Sequence, residues 1–253
     1  MAEQQTQTAQ GRKRKHFVPL ENNPAVMTSL LHNLGLSPTL AFHDVFSLDD
    51  PDLLAFVPRP AQALLLVFPV SNTYEKFRHE EDKDKQEYEG HGEAEDVIWY
   101  KQTIGNACGL IGVLHAVSNG AARAMIQQDS DLDTLVKRAL PLKPRERAEL
   151  LEETEALETA HSAAASTGDT AAPQAEDNVD LHFVCFVKSE KNGHLFEMDG
   201  RRKGPIDHGA LGEGDDVLSE RALELGARAF MKREAEGGDL RFSIVALAES
   251  FDD

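Results

Sequence analysis

Between Gly109 and Val117 the chain carries no Asp, Glu, Lys or Arg and is apolar on almost every side. A helix of that kind is a buried one. The segment QTIGNACGLIGVLHAVSN, residues 102–119, therefore predicts a helix around which the other elements pack. Asn119-Gly120 can end it, with the glycine free to take the left-handed conformation. Gly105-Asn106-Ala107 reads as a turn feeding its start, which puts Cys108 at or next to the first helical residue.

Upstream, Val26, Leu30, Leu31 and Leu34 share one helical face, with Asn23 as cap, Pro24 in the first position and Gly35 as the stop. Phe17–Leu20 is a short edge strand or an extended entry to that helix. Prolines and Asp-Pro break residues 36–57 into short elements and loops, followed by Val57-Pro58-Arg59-Pro60. The continuous apolar run Ala63–Pro69 predicts a strand buried on both faces. Tyr74–Tyr88 is strongly charged and predicts an exposed helix ending near Gly90 and Gly92. Met125–Leu140 predicts a helix capped by Asp131, and Pro144–Ala160 a surface-exposed one.

Residues 161–180, HSAAASTGDTAAPQAEDNVD, are poor in large apolar side chains. From Ala148 to Val187 there are nine acidic residues and no Lys or Arg. A loop that long inside a compact domain is either disordered or functional; a passive surface linker is the plainer reading. Leu181–Val187 is a strand, Asn192-Gly193 a turn and His194–Asp199 the returning strand of a hairpin. Asp216–Gly237 predicts one amphipathic helix with Val217, Ala222, Leu225, Ala229 and Phe230 on its apolar face, and Arg241–Leu247 a last strand. Buried strands among many helices give an α/β or α+β fold with helices around a central sheet.

The length of 253 residues and an apolar fraction of 41% suit a single domain, here residues 16–253. Residues 1–15 read as a disordered polar tail whose Arg12-Lys13-Arg14-Lys15 run is a nuclear address or simply a solvated stretch. There is no apolar run of membrane-spanning length and no secretory leader, so no membrane role is expected. Two cysteines are not a disulfide framework and point to a reducing, cytoplasmic setting. No ligand spacing supports a metal site, and none of the residue patterns calls for a cofactor. A net charge of −18 argues against nucleic-acid binding, and favours a basic partner or a basic piece of substrate.

Cys108 offers the first chemistry. The backbone N–H groups of a first helical turn lack intrahelical partners, and the helix dipole favours an anion there. A thiolate in that place has a lowered pKa and is a better nucleophile. The alternative is a small buried hydrophobe. A thiol nucleophile needs a base, a group to orient the base, and donors for an oxyanion. Of the ten histidines, His115 is seven residues along the same helix, roughly 10 Å away. His161 falls in the long loop and His194 beside the hairpin turn. His16, His32, His43, His79, His91 and His208 lie in charged or turn-rich segments.

His182 starts an otherwise apolar strand. If the hairpin loop is 190–193, Ser189 pairs with His194, Val184 lies opposite Asp199, and His182 is the diagonal neighbour of Asp199 on one face. With a two-residue loop Asp199 stays on that face but moves one pair away; an odd loop turns it to the other face. A satisfied core histidine and a turn aspartate remain the alternatives. Gln102, six residues before Cys108, can aim its amide at the space beside the Cys108 N–H, or it can be a surface glutamine.

Pro19-Leu20-Glu21 with Asn23-Pro24, Val57-Pro58-Arg59-Pro60, Gln102-Thr103-Ile104 through Asn106-Ala107-Cys108-Gly109, His182-Phe183 and Asp199-Gly200-Arg201 together resemble the ubiquitin carboxyl-terminal hydrolase family. These are small papain-like deubiquitinating cysteine peptidases, and the resemblance runs from Phe17 to Phe251. It implies a sheet between helical lobes with a knotted backbone, an exception to the usual absence of knots. It implies that Cys108 is the nucleophile, His182 the general base and acid, Asp199 its orienting group and Gln102 an oxyanion donor. Cys185 matches no such position and reads as core.

The resemblance further implies that residues 153–178 form a crossover loop arching over the cleft. Small or unfolded leaving groups on the ubiquitin C-terminus would then be cleaved best, at amide, ester or thioester bonds. Glu21 and Asp44 fall where they can meet the basic ubiquitin tail. No cofactor is implied, and the enzyme is expected to act as a monomer in the cytoplasm and nucleus. The hairpin loop is somewhat longer than the family pattern. The rival functions are the same chemistry on a ubiquitin-like modifier and a non-catalytic ubiquitin-binding module.

Overall fold

A computed structural model describes residues 14–171, 173–177, 179–235 and 241–251. Most of the expected N-terminal tail, residues 1–13, and the end of the helix expected up to Gly237 lie outside the described residues.

The sheet has six strands in the order β1-β6-β2-β3-β4-β5, every neighbouring pair antiparallel. They are β1 (Leu40–Asp44), β2 (Ala63–Pro69), β3 (Leu181–Lys188), β4 (His194–Met198), β5 (Ile206–Ala210) and β6 (Ser243–Glu249). β2 lies at the centre and is buried along its whole length, as its unbroken apolar run requires. The helices are α1 (Pro24–Leu34), α2 (Pro51–Leu54), α3 (Asn72–Asp82), α4 (Cys108–Ser118), α5 (Asp131–Ala139), α6 (Pro144–Glu153), α7 (Glu155–Ala165), α8 (Glu220–Leu225) and α9 (Ala227–Ala235).

Strand alternation sorts the core into two layers. Leu65, Val67, Phe183, Cys185, Val187 and Val245 face the layer of α1, α4, α5 and α7. Leu64, Leu66, Phe68, Val184, Phe186 and Ala246 face α8, α9 and Tyr74 of α3. The helix predicted to organise the chain is α4, and each of its residues from Gly109 to Ser118 is buried. It leaves through Asn119 in extended conformation, and Gly120 takes a positive φ of 59°. α1 is built as the sequence predicts: Asn23 accepts from the Ala25 and Val26 N–H groups, and Gly35, at φ 106°, ends the helix.

Several elements differ from expectation. α3 stops at Asp82, short of the expected Tyr88, and the Asp82 carboxylate takes Arg202 Nη2 at 2.8 Å. α5 begins at Asp131 but is capped by Ser130, whose hydroxyl accepts the Asp133 N–H at 3.1 Å. α6 is exposed on one face only: Arg145 and Glu149 meet solvent, whereas Arg147 is wholly buried, pairs with Glu95 and donates to the Ala139 carbonyl at 2.9 Å. The helix expected from Asp216 is two helices broken at Gly226, and Ala229 is exposed. Asp216 itself stays outside because its carboxylate holds Arg59 and accepts the Ala61 N–H at 2.7 Å. Arg14 and Lys15 are not a solvated tail: Lys15 reaches Glu158 on α7 at 2.6 Å, and Arg14 donates to the Thr103 carbonyl at 2.9 Å. Among the described residues no helix is long and apolar enough to cross a membrane.

Candidate active site

Cys108 is the first residue of α4, preceded by Ala107 as cap and by Asn106 in the left-handed region at φ 56°. The turn before it is held by the chain entry. The Gly105 N–H donates to the Lys15 carbonyl at 2.8 Å, and the Phe17 N–H to the Gly105 carbonyl at 2.9 Å. Cys108 is partly exposed, whereas Cys185 is fully buried and desolvation pushes its thiol far up. Cys185 is therefore core.

The hairpin takes the four-residue loop. Cys185 pairs with Met198 and Lys188 with Leu195, and the Ser189 N–H donates to the His194 carbonyl at 2.9 Å. One more step of that register sets Val184 across from Asp199, and His182 becomes its diagonal neighbour. His182 Nε2 lies 2.7 Å from Asp199 Oδ1, and both side chains are buried. The two sheet faces thus meet at one end of β3. The thiol comes from the α4 layer, the imidazole and carboxylate from the opposite face, and Cys108 Sγ lies 3.8 Å from the Leu181 carbonyl.

Burial alone would lower the imidazole pKa of His182. The adjacent Asp199 carboxylate outweighs burial, with a further contribution from Cys108, and holds the ring above its ordinary value. Burial would raise the Asp199 carboxyl, but the charge and hydrogen bond of His182 and the donors around it hold it well below the usual carboxylate range. The raised imidazole keeps a proton on the ring beside the thiol. With Nε2 turned to the carboxylate, the other ring nitrogen is left for the sulfur.

The structure also brings in residues the sequence reading did not single out. The Tyr74 hydroxyl donates to Asp199 Oδ2 at 2.5 Å, and the Arg201 N–H to Asp199 Oδ1 at 2.9 Å. Tyr74 lies in a stretch whose charge predicts an exposed helix; the signal for its burial is an aromatic residue three positions before Phe77 in that charged stretch. Asn106 Nδ2 donates to the carbonyls of Ala175 at 2.9 Å and Asp177 at 2.8 Å.

Gln102 lies against the same space as Cys108 and His182. Its Nε2 donates to the Ile104 carbonyl at 3.2 Å, which fixes the amide beside the turn. His115 is buried inside α4, and its Nε2 accepts the Tyr100 N–H at 2.9 Å. His161 is not in a loop: it is a buried residue of α7 whose Nε2 meets the Val18 carbonyl at 2.7 Å.

Two depressions meet at Cys108. One, of about 180 Å³, is mainly apolar, with Leu20, Pro173, Val179 and Phe183 in its walls and Glu21 as its charged side chain. The other, of about 280 Å³, is lined by Gln102, His182, Arg14 and Arg201 and also by Glu176 and Asp177. Asn106, Cys108, Val179 and Leu181 line both. Described residues after α7 line both, Thr170 and Pro173 the first and Glu176 and Asp177 the second, and are fastened on two sides. Asn106 holds one side; on the other, Glu21 accepts the Thr170 N–H at 3.4 Å and Asn23 donates to Asp169 at 3.1 Å. Asp44 lies elsewhere, in a groove of about 840 Å³ with Phe46, Arg228 and Phe242. The two regions touch where Asn22 donates to the Ser243 hydroxyl at 2.6 Å.

A family model described as ubiquitin carboxyl-terminal hydrolase, family 1, matches residues 17–232. The chain is 40% identical over 238 residues to ubiquitin carboxyl-terminal hydrolase 3 of Arabidopsis thaliana, covering 93% of this chain and 95% of that one. It is 38% identical over 231 residues to ubiquitin carboxyl-terminal hydrolase isozyme L1 of Monodelphis domestica, covering 91% and 97%. Its fold is similar to that of the Trichinella spiralis UCH37 catalytic domain solved with ubiquitin vinyl methyl ester. That similarity has a TM-score of 0.70 at 19% identity, over 96% of this chain and 97% of the other.

Proposed function

The chain belongs to the ubiquitin carboxyl-terminal hydrolases of family 1, and from that premise we propose that it is a deubiquitinating cysteine peptidase working in the cleft around Cys108. The observation that most supports this reading is the buried His182–Asp199 pair at 2.7 Å, opening on the same space as a thiol at a helix start.

In the proposed reaction, Cys108 Sγ, as thiolate, attacks the carbonyl carbon of the last glycine of ubiquitin. The developing oxyanion is held by the Cys108 N–H and the Gln102 amide; one such donor is worth on the order of 100- to 1000-fold in rate. His182 gives its proton to the leaving amine as the carbon–nitrogen bond breaks, which leaves a thioester on Cys108. Water then attacks the thioester carbonyl, His182 takes the water proton, and the carbon–sulfur bond breaks to release ubiquitin and the thiolate. Asp199 keeps the ring oriented throughout. Esters and thioesters follow the same course with an alkoxide or thiolate leaving.

The electrostatics suggest how the substrate lies. The basic ubiquitin tail takes the apolar depression beside Glu21, the folded body reaches the groove of Asp44, and the leaving group occupies the other side of Cys108. Of the expected crossover loop 153–178, residues 155–165 form α7 instead; the part after α7, fastened by Asn106, Glu21 and Asn23, takes the loop's role, so small or unfolded leaving groups pass best. Both thiols are unpaired, which fits action in the cytoplasm.

The test is reaction of the protein with ubiquitin carrying a thiol-reactive C-terminal group, followed by intact mass and peptide mapping. One adduct on Cys108 is expected, lost in Cys108→Ala and kept in Cys185→Ala. Tight ubiquitin binding without an adduct would favour a binding module instead. Preferential labelling by another modifier would move the substrate assignment to that modifier.

A further inference from the structure

The Asp199 carboxylate has two oxygens with different duties. Oδ1 takes His182 Nε2 at 2.7 Å and the Arg201 N–H at 2.9 Å. Oδ2 takes the Tyr74 hydroxyl at 2.5 Å. A carboxylate has a free torsion about its last bond, and a contact on one oxygen alone leaves that torsion loose. The phenol fixes it, and thereby sets the plane in which the imidazole sits.

Tyr74 is itself built to stay in place. It sits in the first turn of α3, where the Ser71 hydroxyl accepts its N–H at 2.9 Å, and Ser71 in turn donates to Glu234 of α9 at 3.0 Å. Its ring is 1% exposed. Phe68 packs edge-on at 5.0 Å between centroids, and Phe230 and His182 lie at 6.4 and 5.8 Å. The next residue, Glu75, holds Arg201 at 2.6 Å, and Arg78 donates to the Arg201 carbonyl at 3.2 Å. The start of α3 is thus clamped to the turn that carries Asp199. Burial, and then the charge of Asp199, push the phenol pKa far up, so the hydroxyl remains a donor at every working pH.

Resting on the hydrolase reading above, we propose that Tyr74 is a positioning residue for this reaction: its hydroxyl orients Asp199 and tempers the basicity of the carboxylate, so that the His182 proton stays on the ring and available to the leaving group. A hydrogen bond to the anion lowers its proton affinity. Without it the carboxylate both swings and pulls harder on the imidazole proton. The ionisable groups facing this array are His182 on β3, Arg201 after β4, Glu75 and Arg78 on α3, His115 and Cys108 on α4, and Glu234 on α9 through Ser71.

The experiment compares the full chain with Tyr74→Phe by two readouts. The rate of Cys108 alkylation by iodoacetamide across pH reports the imidazole without any ubiquitin. Turnover of ubiquitin carrying a C-terminal fluorogenic amide reports kcat and KM separately. Tyr74→Phe is expected to lower kcat about ten- to a hundredfold with KM within about twofold. The high-pH limb of both profiles moves up by on the order of half a unit. In an Asp199→Asn background Tyr74→Phe adds no further loss. Difluorotyrosine at position 74, a stronger donor of nearly the same shape, moves the limb down, and it serves also if the Phe variant does not fold.

Unmoved profiles, or a Tyr74→Phe loss undiminished by Asp199→Asn, would overturn the proposal. A shifted alkylation profile in a protein that does not turn over ubiquitin would uphold Tyr74 and overturn the ubiquitin reading.

Discussion

Two buried imidazoles flank the same stretch of core, and the protein drives them in opposite directions. His182 is 2% exposed and His115 0%, so both lose about the same hydration. His115 accepts the Tyr100 N–H through Nε2 and stacks on the Tyr100 ring at 5.7 Å. Only a neutral ring can accept at that nitrogen, and burial carries its pKa down to about 3. His182 has Asp199 at 2.7 Å and is carried up instead. Burial alone makes a histidine a structural acceptor; one carboxylate in hydrogen-bond contact makes it a proton carrier.

The sharpest way to break that contrast is Asp199→Asn, which keeps the shape and removes the charge. His182 is then expected to behave as His115 does, giving up its proton at ordinary pH. The rate should fall on the order of 10²- to 10⁴-fold, measured as kcat on a ubiquitin C-terminal amide. A loss of only a few-fold would mean that the carboxylate charge is not what separates the two rings.

Stability as a function of pH should separate them next. The unfolded chain binds a proton at His115 below its ordinary pKa of about 6.5 while the folded chain refuses it until about pH 3. Stability should therefore fall on acidification through that window, by up to roughly 1.4 kcal/mol per pH unit from this one group. His161, also lowered chiefly by burial, acts in the same sense. His182 has the reverse sign: its folded pKa is raised, so its contribution is complete below the unfolded pKa and is lost as pH rises through the folded one. Urea midpoints across pH for the wild type and for His115→Gln and His182→Gln variants would read both slopes. An acid slope unchanged in His115→Gln would remove that histidine from the account.

The smallest effect belongs to His115→Leu. It orphans the buried Tyr100 N–H and should lower stability by about 1–3 kcal/mol while leaving kcat within a few-fold. A rate loss comparable to that of Asp199→Asn would mean the two rings act as one unit.

How much of this could be read from the chain depends on how local the cause is. α1 with its Asn23 cap, the buried strand β2 and the hairpin parity that pairs His182 with Asp199 follow from short-range pattern. Cys108 at a helix start follows from a turn and an apolar run. Pairings across the fold were not legible. Arg147 reads as a surface residue until Glu95 is brought to it from 52 residues away. Tyr74 reads as one side chain of a charged helix until Asp199, 125 residues on, meets its hydroxyl. β5 has no apolar alternation to announce it, and its burial pattern is half exposed. Gly226, inside the stretch that reads as one long helix, leaves helical geometry at φ −108° and ψ −99°, and a side chain there would run into Phe186 and Leu195. Asp44 falls in a stretch that reads only as short elements and loops, and nothing local says that it ends β1 in a groove away from the cleft.

The chain entry has a mechanical consequence. Lys15 and Phe17 stitch Gly105 to α7: Lys15 bonds Glu158, the Phe17 ring packs tilted against His161 at 5.0 Å, and both hydrogen-bond to the backbone of Gly105. A pull on this end would load the stitch before the sheet, dragging first on the turn between Gln102 and Cys108. The segment would act as a fuse: a tether, or an unfolding motor gripping from the front, would silence turnover while the body of the domain still held. A single-molecule pull that follows turnover would see activity vanish before the main unfolding step.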